Sequence, residues 1–202
     1  MKLVFVGPPG SGKGTEAKII SEKLGIPHIS TGDLLREAKG EKKKQIDLYV
    51  NKGELFPDEL MLEVLKERIE KPDCEKGFIL DGFPRTLPQA EMLDKLVKID
   101  KIIEVDISDK IAIARLSGRR NCSKCGAIYN INTEPKPLQE SICDKCGAKL
   151  YEREDNSPEV IQNRLDVYHR QTKPILEKYN TLKINGEPKI EEVTKEILSK
   201  LK

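Results

Sequence analysis

The sequence predicts an α/β protein: a five-stranded parallel sheet with helices on both faces, plus a small insert of different character. Three observations carry that expectation. An apolar stretch, Leu3-Val4-Phe5-Val6, runs straight into a glycine-rich loop and then a helical pattern. Strand-like and helix-like segments alternate from there to the C-terminus. The alternation breaks once, from Asn121 to about Asp155, around four cysteines. Alternation of this kind demands a parallel sheet, because each crossover helix must cover one of its faces.

The first strand leads into Gly7-Pro-Pro-Gly-Ser-Gly-Lys-Gly-Thr15. Gly10, Ser11, Gly12, Lys13, Gly14 and Thr15 have the spacing of a phosphate-binding loop, in which backbone N–H groups turn inward on an anion and the lysine adds a point charge. Gly14 is one glycine more than the general form of that loop, which passes directly from lysine to the hydroxyl residue. Ala17, Ile20 and Leu24 then recur at helical spacing, so the helix dipole also favours the anion. A dinucleotide fingerprint is the competing reading. It has no need of the lysine, and no acidic residue ends a second strand about 20 positions on.

The chain continues with a short strand at Pro27-His28-Ile29-Ser30, and Thr31-Gly32-Asp33-Leu34-Leu35-Arg36 turns from it into a helix. Arg36 is thereby expected near a second anion. A helix between Pro57 and Pro72 carries Met61, Val64, Leu65 and Ile69 on one face. Phe78-Ile79-Leu80 is the third strand, ending in Asp81-Gly82-Phe83-Pro84-Arg85. A carboxylate at that carboxyl end, beside the phosphate loop, suits a magnesium ion or its waters. Ile102–Asp106 and Thr181–Asn185 complete the five strands. Ser157 to Tyr179 reads as one long helix with a kink at Pro174. The last helix turns Ile190, Val193, Ile197 and Leu201 inward.

The insert carries two Cys-x-x-Cys knuckles, Cys122/Cys125 and Cys143/Cys146, each followed by a glycine. That spacing predicts a four-thiolate structural zinc site with no open position for chemistry. The fifth cysteine, Cys74, reads as an ordinary buried thiol. His28 and His169 are expected in packing or solvent contact. The lysines from Lys39 to Lys44 read as a solvated helix face.

At 202 residues with a formal charge of +2, the chain is one domain by size and has no overall field for nucleic acid. No run of 18 apolar residues and no signal peptide is visible, so a soluble cytoplasmic protein without membrane attachment is expected. Nine of the 36 basic residues are arginine. Six of those nine, Arg36, Arg85, Arg115, Arg119, Arg153 and Arg164, fall inside the motifs, where a rigid fork suits phosphate oxygens.

Together these motifs resemble the adenylate kinases, in the form whose lid binds zinc. The resemblance spans the chain and also includes Gln89, Gly118-Arg119-Arg120, Arg153-Glu154-Asp155 and Asn163-Arg164-Leu165. It implies the fold of the P-loop nucleoside monophosphate kinases. It also implies reversible transfer of the terminal phosphoryl group of MgATP to AMP, giving two ADP. Gly10 to Thr15 are then implied to hold the ATP phosphates, with Arg119, while Arg115, Ile128-Tyr129 and backbone at Glu187 flank its adenine. For AMP the implied contacts are Thr31, Arg36, Glu54, Leu55, Phe56, Gly82, Phe83, Pro84, Arg85 and Gln89, joined by Arg153 and Arg164. Lys13, Arg85, Arg119, Arg153 and Arg164 are the implied catalytic set, and Asp81 holds magnesium water. The implied division is a core of 1–29, 60–118 and 156–202, an AMP domain of 30–59 and a lid of 119–155, in a monomer. Asp155-Asn156 departs from the paired aspartates of many members. A kinase for UMP or CMP, a zinc ribbon binding nucleic acid and a GTPase switch are the rival readings. A short lid, a stacking platform and an Asn-Lys-x-Asp guanine reader, respectively, are what this chain lacks.

Overall fold

A computed structural model describes residues 1–38 and 40–201, without the side chains of 40–42 and 50. Lys39 of the lysine-rich patch lies outside the described residues.

The chain runs β1 (Lys2–Val6), α1 (Lys13–Leu24), β2 (His28–Ser30), α2 (Thr31–Glu37), α3 (Gly40–Val50), α4 (Asp58–Ile69), β3 (Phe78–Asp81), α5 (Leu87–Leu96), β4 (Lys101–Asp106) and α6 (Asp109–Ser117). The insert follows as β5 (Arg119–Cys122), β6 (Ile128–Asn130) and β7 (Leu150–Tyr151). Then come α7 (Pro158–Val167), α8 (Ile175–Lys178), β8 (Thr181–Asn185) and α9 (Ile190–Lys200).

The five expected strands form one sheet in the order β2-β3-β1-β4-β8, parallel throughout. Period-2 alternation splits β1 between two cores: Leu3 and Phe5 pack with Ala17, Ile20, Val193 and Ile197, whereas Val4 and Val6 pack with Met61, Leu65 and Leu93. Both faces are covered, as uninterrupted apolar strands require. All five strands end at one edge, so the loops after β1, β2, β3 and β8 meet there, where the strand order reverses about β1.

Local sequence explains the helix starts. Ser30 caps α2 by accepting from Asp33 N at 3.3 Å, Thr86 caps α5 by accepting from Gln89 N at 3.1 Å, and Ser157 caps α7 with Pro158 in its first turn. The expected kink at Pro174 takes another form. After α7 the chain makes a π-helical turn at Tyr168–Thr172, in which Lys173 N donates to Tyr168 O at 2.8 Å, before α8 resumes. Widening the turn accommodates a proline that has no N–H to give. It also aims Thr172 Oγ1 at the Arg85 carbonyl, 2.9 Å away.

Two buried polar groups lie away from the sheet edge. Arg68 grips Asp73 with both terminal nitrogens, at 2.9 and 2.8 Å, and Arg68 Nη1 also donates to Cys74 Sγ at 3.1 Å. Cys74 is thus buried as expected, but it has a partner. Glu16, 3% exposed on the first turn of α1, accepts from Thr194 Oγ1 of α9 at 2.6 Å. Burial raises its carboxyl to about 7, with the Thr194 hydrogen bond opposing and Glu191 adding to the rise.

Because the folded value lies above the ordinary 4.5 of a glutamate, the bound proton stabilises the fold fully below about pH 4.5, and that contribution is lost as pH rises through about 7. Glu16→Gln is therefore expected to be more stable than the parent by roughly 2 kcal/mol above neutrality and nearly equal to it in acid. Chemical denaturation of both proteins across that range checks the sign.

Candidate functional site

The loop after β1 is shaped by its glycines at two positions that matter. Gly12 stands at the N-cap of α1 with φ +89°, a conformation only glycine adopts freely. At Gly14, the extra glycine of the sequence, a Cβ would come within 2.9 Å of Asp81 Oδ2. This glycine lets β3 bring its terminal carboxylate against the loop. Lys13 Nζ donates to Pro8 O at 3.2 Å, a bond an anion can replace. Burial, then Arg85, Arg164 and Arg119, pull Lys13 down to about 8 against the attraction of Asp81. Asp81 itself lies low: burial pushes it up, and His28, Lys13 and Arg85 outweigh that.

Asp81 Oδ1 is buried with no hydrogen-bond partner among the described residues. A spare carboxylate oxygen beside a polyphosphate loop fits a hydrated magnesium ion. His28 Nε2 stands 3.5 Å from Asp81 Oδ2, so this histidine adjoins the site and is not mere packing. His169 instead pairs with Asp109 at 3.0 Å on the surface.

Five guanidinium groups converge on the same cleft. Asp155 is the hub of three of them: Arg164 Nη1 lies 3.0 Å and Arg119 Nη2 3.6 Å from its carboxylate, and Arg153 donates to it as well. Burial would raise the Asp155 carboxyl, but Arg164, Arg153 and Arg119 hold it below the usual range. Arg119 Nη2 also donates to Asn156 Oδ1 at 2.6 Å. The asparagine that replaces a second aspartate thus orients an arginine without cancelling its charge. Burial and the neighbouring Arg153 and Arg164 push Arg119 well below its ordinary value. Arg85 is likewise lowered by burial, with Arg36 and Arg153 adding to it. Arg36 pairs with Asp33 one turn earlier.

A cavity opens between these cations and the segment after α3. Thr31, Arg36, Glu54, Leu55, Phe56, Gly82, Arg85, Gln89, Arg153 and Arg164 line it. Phe83 and Pro84 are buried, and neither is among the residues that line this cavity. Asn163 Nδ2 donates to Lys52 O at 2.7 Å, tying α7 to the cavity's outer wall.

On the other side of the phosphate loop, Arg115 donates to Gly186 O at 2.9 Å, Glu187 O at 3.1 Å and Ser11 O at 3.4 Å. One guanidinium thereby links α6, the loop and the turn after β8. Ile128 is exposed nearby on β6. Tyr129 points the other way: its ring is buried in the insert's own core, and its hydroxyl lies 3.6 Å from Cys143 Sγ and accepts from Asp144 N at 3.0 Å.

The insert is a three-stranded antiparallel sheet, β6-β5-β7. Its knuckles repeat one pattern: Cys122 N donates to Ala127 O and Gly126 N to Cys122 O, as Cys143 N does to Ala148 O and Gly147 N to Cys143 O. The four sulfur atoms lie within 4.8 Å of one another, with Cys122–Cys146 at 3.4 Å and Cys125–Cys143 at 3.6 Å. A tetrahedral ion with bonds of about 2.3 Å requires edges of about 3.8 Å, so the cluster fits a metal. Cys143 is held at about 6; burial raises it, and hydrogen bonds from Tyr129 and the following backbone more than compensate.

Lys13, Arg36, Arg85, Arg119, Arg153 and Arg164 come together at the cleft and the four knuckle cysteines in the insert, whereas Cys74 and His169 lie away from both. Asp58, the link to His28 and the Tyr129 hydroxyl were missed. Each depends on a partner from a different segment, so spacing carries no signal of it.

Comparison with known proteins gives a consistent picture. A family model described as adenylate kinase matches residues 5–184. A protein named adenylate kinase from Methanocella arvoryzae is 50% identical over 212 residues, covering 98% of this chain and 96% of that protein. One of the same name from Archaeoglobus fulgidus is 49% identical over 209 residues, with coverage of 98% and 96%. Another, from Caldicellulosiruptor bescii, is 45% identical over 213 residues, with coverage of 100% and 99%. Among the described residues no helix is long and apolar enough to cross a membrane.

Asp155→Asn leaves three arginines crowded without their shared counter-charge. The expected loss is about 3 kcal/mol at neutral pH, with millimolar pyrophosphate restoring part of it. Since the folded carboxyl lies below the ordinary value of an aspartate, the difference from the parent should vanish in acid as pH falls through that lowered value. Thermal melts of both proteins, with and without pyrophosphate, test this.

Proposed function

This chain belongs to the adenylate kinase family, phosphotransferases that move the terminal phosphoryl group of MgATP reversibly to AMP, and from that premise we propose which of its residues do so. The observation that carries the assignment is the meeting of Lys13, Arg36, Arg85, Arg119, Arg153 and Arg164, drawn from separate segments, in one cleft. Terminal phosphates carry nearly −2 each, so two nucleotides set tail to tail bring roughly the charge that such a cluster needs.

Gly10 to Thr15 and Lys13 hold the ATP phosphates, with Arg119 above them. Arg115, Ile128, the backbone of Tyr129 and Glu187 border its base. AMP fills the cavity lined by Thr31, Arg36, Glu54 to Phe56, Gly82, Arg85 and Gln89, with Phe83 and Pro84 shaping the turn behind it, and Arg153 and Arg164 reach the phosphates between the two. The acceptor oxygen is already anionic, so no general base is required; positioning and charge stabilisation do the work. Magnesium, bound with ATP, neutralises charge shared across the phosphate oxygens, and Asp81 is the residue we assign to its water shell.

The working parts are a core of 1–29, 60–118 and 156–202, an AMP domain of 30–59 and a lid of 119–155. Lid and core exclude water from the transferring group, since the alternative acceptor is water itself. Zinc is the metal we assign to Cys122, Cys125, Cys143 and Cys146, in a structural role. A monomer working in the cytoplasm completes the reading.

A coupled assay with MgATP and a panel of monophosphate acceptors is the direct test. AMP should be the preferred acceptor, and Lys13→Met should lower kcat/KM by at least about a hundredfold. Preference for another acceptor would overturn the assignment. Chelation should lower the melting temperature and release one zinc per chain while phosphoryl transfer stays measurable in the cold. A metal-free protein with an unchanged melt would remove the structural role.

A further inference from the structure

Gln89 is 2% exposed, yet it lines the acceptor cavity. Its side-chain amide is gripped from both ends. Arg85 N donates to Gln89 Oε1 at 2.7 Å, and Gln89 Nε2 donates to Asp58 Oδ1 at 2.6 Å. The other oxygen of Asp58 accepts from Thr86 Oγ1 at 2.9 Å, so this carboxylate is itself fixed. Arg85 is fixed too, with its Nε donating 2.7 Å to Gly82 O and its carbonyl accepting from Thr172.

A glutamine amide can ordinarily turn over and exchange its oxygen for its nitrogen. Here the two orientations are far from equivalent. A backbone N–H only donates and a carboxylate only accepts, so the flipped amide would set donor against donor at Arg85 and acceptor against acceptor at Asp58. Each grip uses one of the amide's two lone pairs or one of its two N–H groups. One acceptor and one donor remain, side by side and in fixed order.

We propose that Asp58 is a specificity-determining positioning residue, which locks the Gln89 amide so that the cleft takes a 6-aminopurine monophosphate and refuses a 6-oxopurine. Adenine presents an amino donor next to a ring-nitrogen acceptor, and the locked amide answers both. Hypoxanthine presents a carbonyl acceptor next to an N–H donor, the reverse order. A freely turning glutamine would accept either base. Asp58 never touches the base; it acts through Gln89. The inference rests on the placement of AMP given above.

A carboxylate in the first turn of α4 also complements the helix dipole. That role alone would move stability and leave base selectivity untouched. The experiment therefore measures kcat/KM for AMP and for IMP, with saturating MgATP, in the parent, Asp58→Asn and Asp58→Glu. In Asp58→Asn the AMP-to-IMP ratio should fall about tenfold, mainly through a higher KM for AMP, with the KM for ATP unchanged. Asp58→Glu, which keeps an obligatory acceptor, should recover part of the ratio. A folded Asp58→Asn with the parent's ratio overturns the inference. Should that variant not fold, Thr86→Val frees the second oxygen of Asp58, and an unchanged ratio there overturns it equally. A parent enzyme that does not use AMP would instead defeat the functional reading itself, a separate result.

Discussion

Lys13 and five arginines occupy a cleft in which Asp33, Asp81 and Asp155 are their charge partners. Burial and mutual repulsion lower Lys13, Arg85, Arg119, Arg153 and Arg164 from their ordinary values. Such a cluster is held together by the rest of the fold. Low dielectric strengthens both effects: it makes the free cleft costly and the bound phosphates well stabilised. Preorganised charge of this kind needs no reorganisation at the moment of transfer.

The scaffold is what makes the crowding possible. Five parallel strands deliver every loop that matters to one edge, and their apolar runs are sealed under helices on both sides. Asp81 at the end of β3 and the loop after β1 then meet so closely that a side chain at Gly14 would displace the Asp81 carboxylate. On the far side, the π-helical turn places Thr172 against Arg85. A packing irregularity in one helix thus steadies the acceptor wall of the cleft.

The insert completes the charge pattern from above. Arg119 stands at its entry and Arg153 at its exit, so any movement of the four-cysteine sheet carries both arginines with it. Strand β6 serves both sides: the Tyr129 hydroxyl lies against Cys143, while the next residue, Asn130, donates from Nδ2 to Arg115 O at 2.7 Å. Asp155 and Asn156 then divide the work of holding the arginines. One neutralises, and the other orients through a neutral oxygen.

Local chemistry was readable from the chain itself. The glycine loop with Lys13, the carboxylate after Phe78-Ile79-Leu80 and the paired cysteine knuckles each declare themselves through spacing, because a turn, a strand end and a metal tetrahedron all demand fixed residue types at short range. The alternation of periods likewise determined the parallel sheet. What the folded chain alone decided are the long-range pairings: Asp58 with Gln89, His28 with Asp81, Tyr129 with Cys143 and the π-turn against Arg85. A polar contact between residues 31 or 53 positions apart leaves no periodic trace, since its geometry is set by how helices and strands pack and not by the order in which they are written.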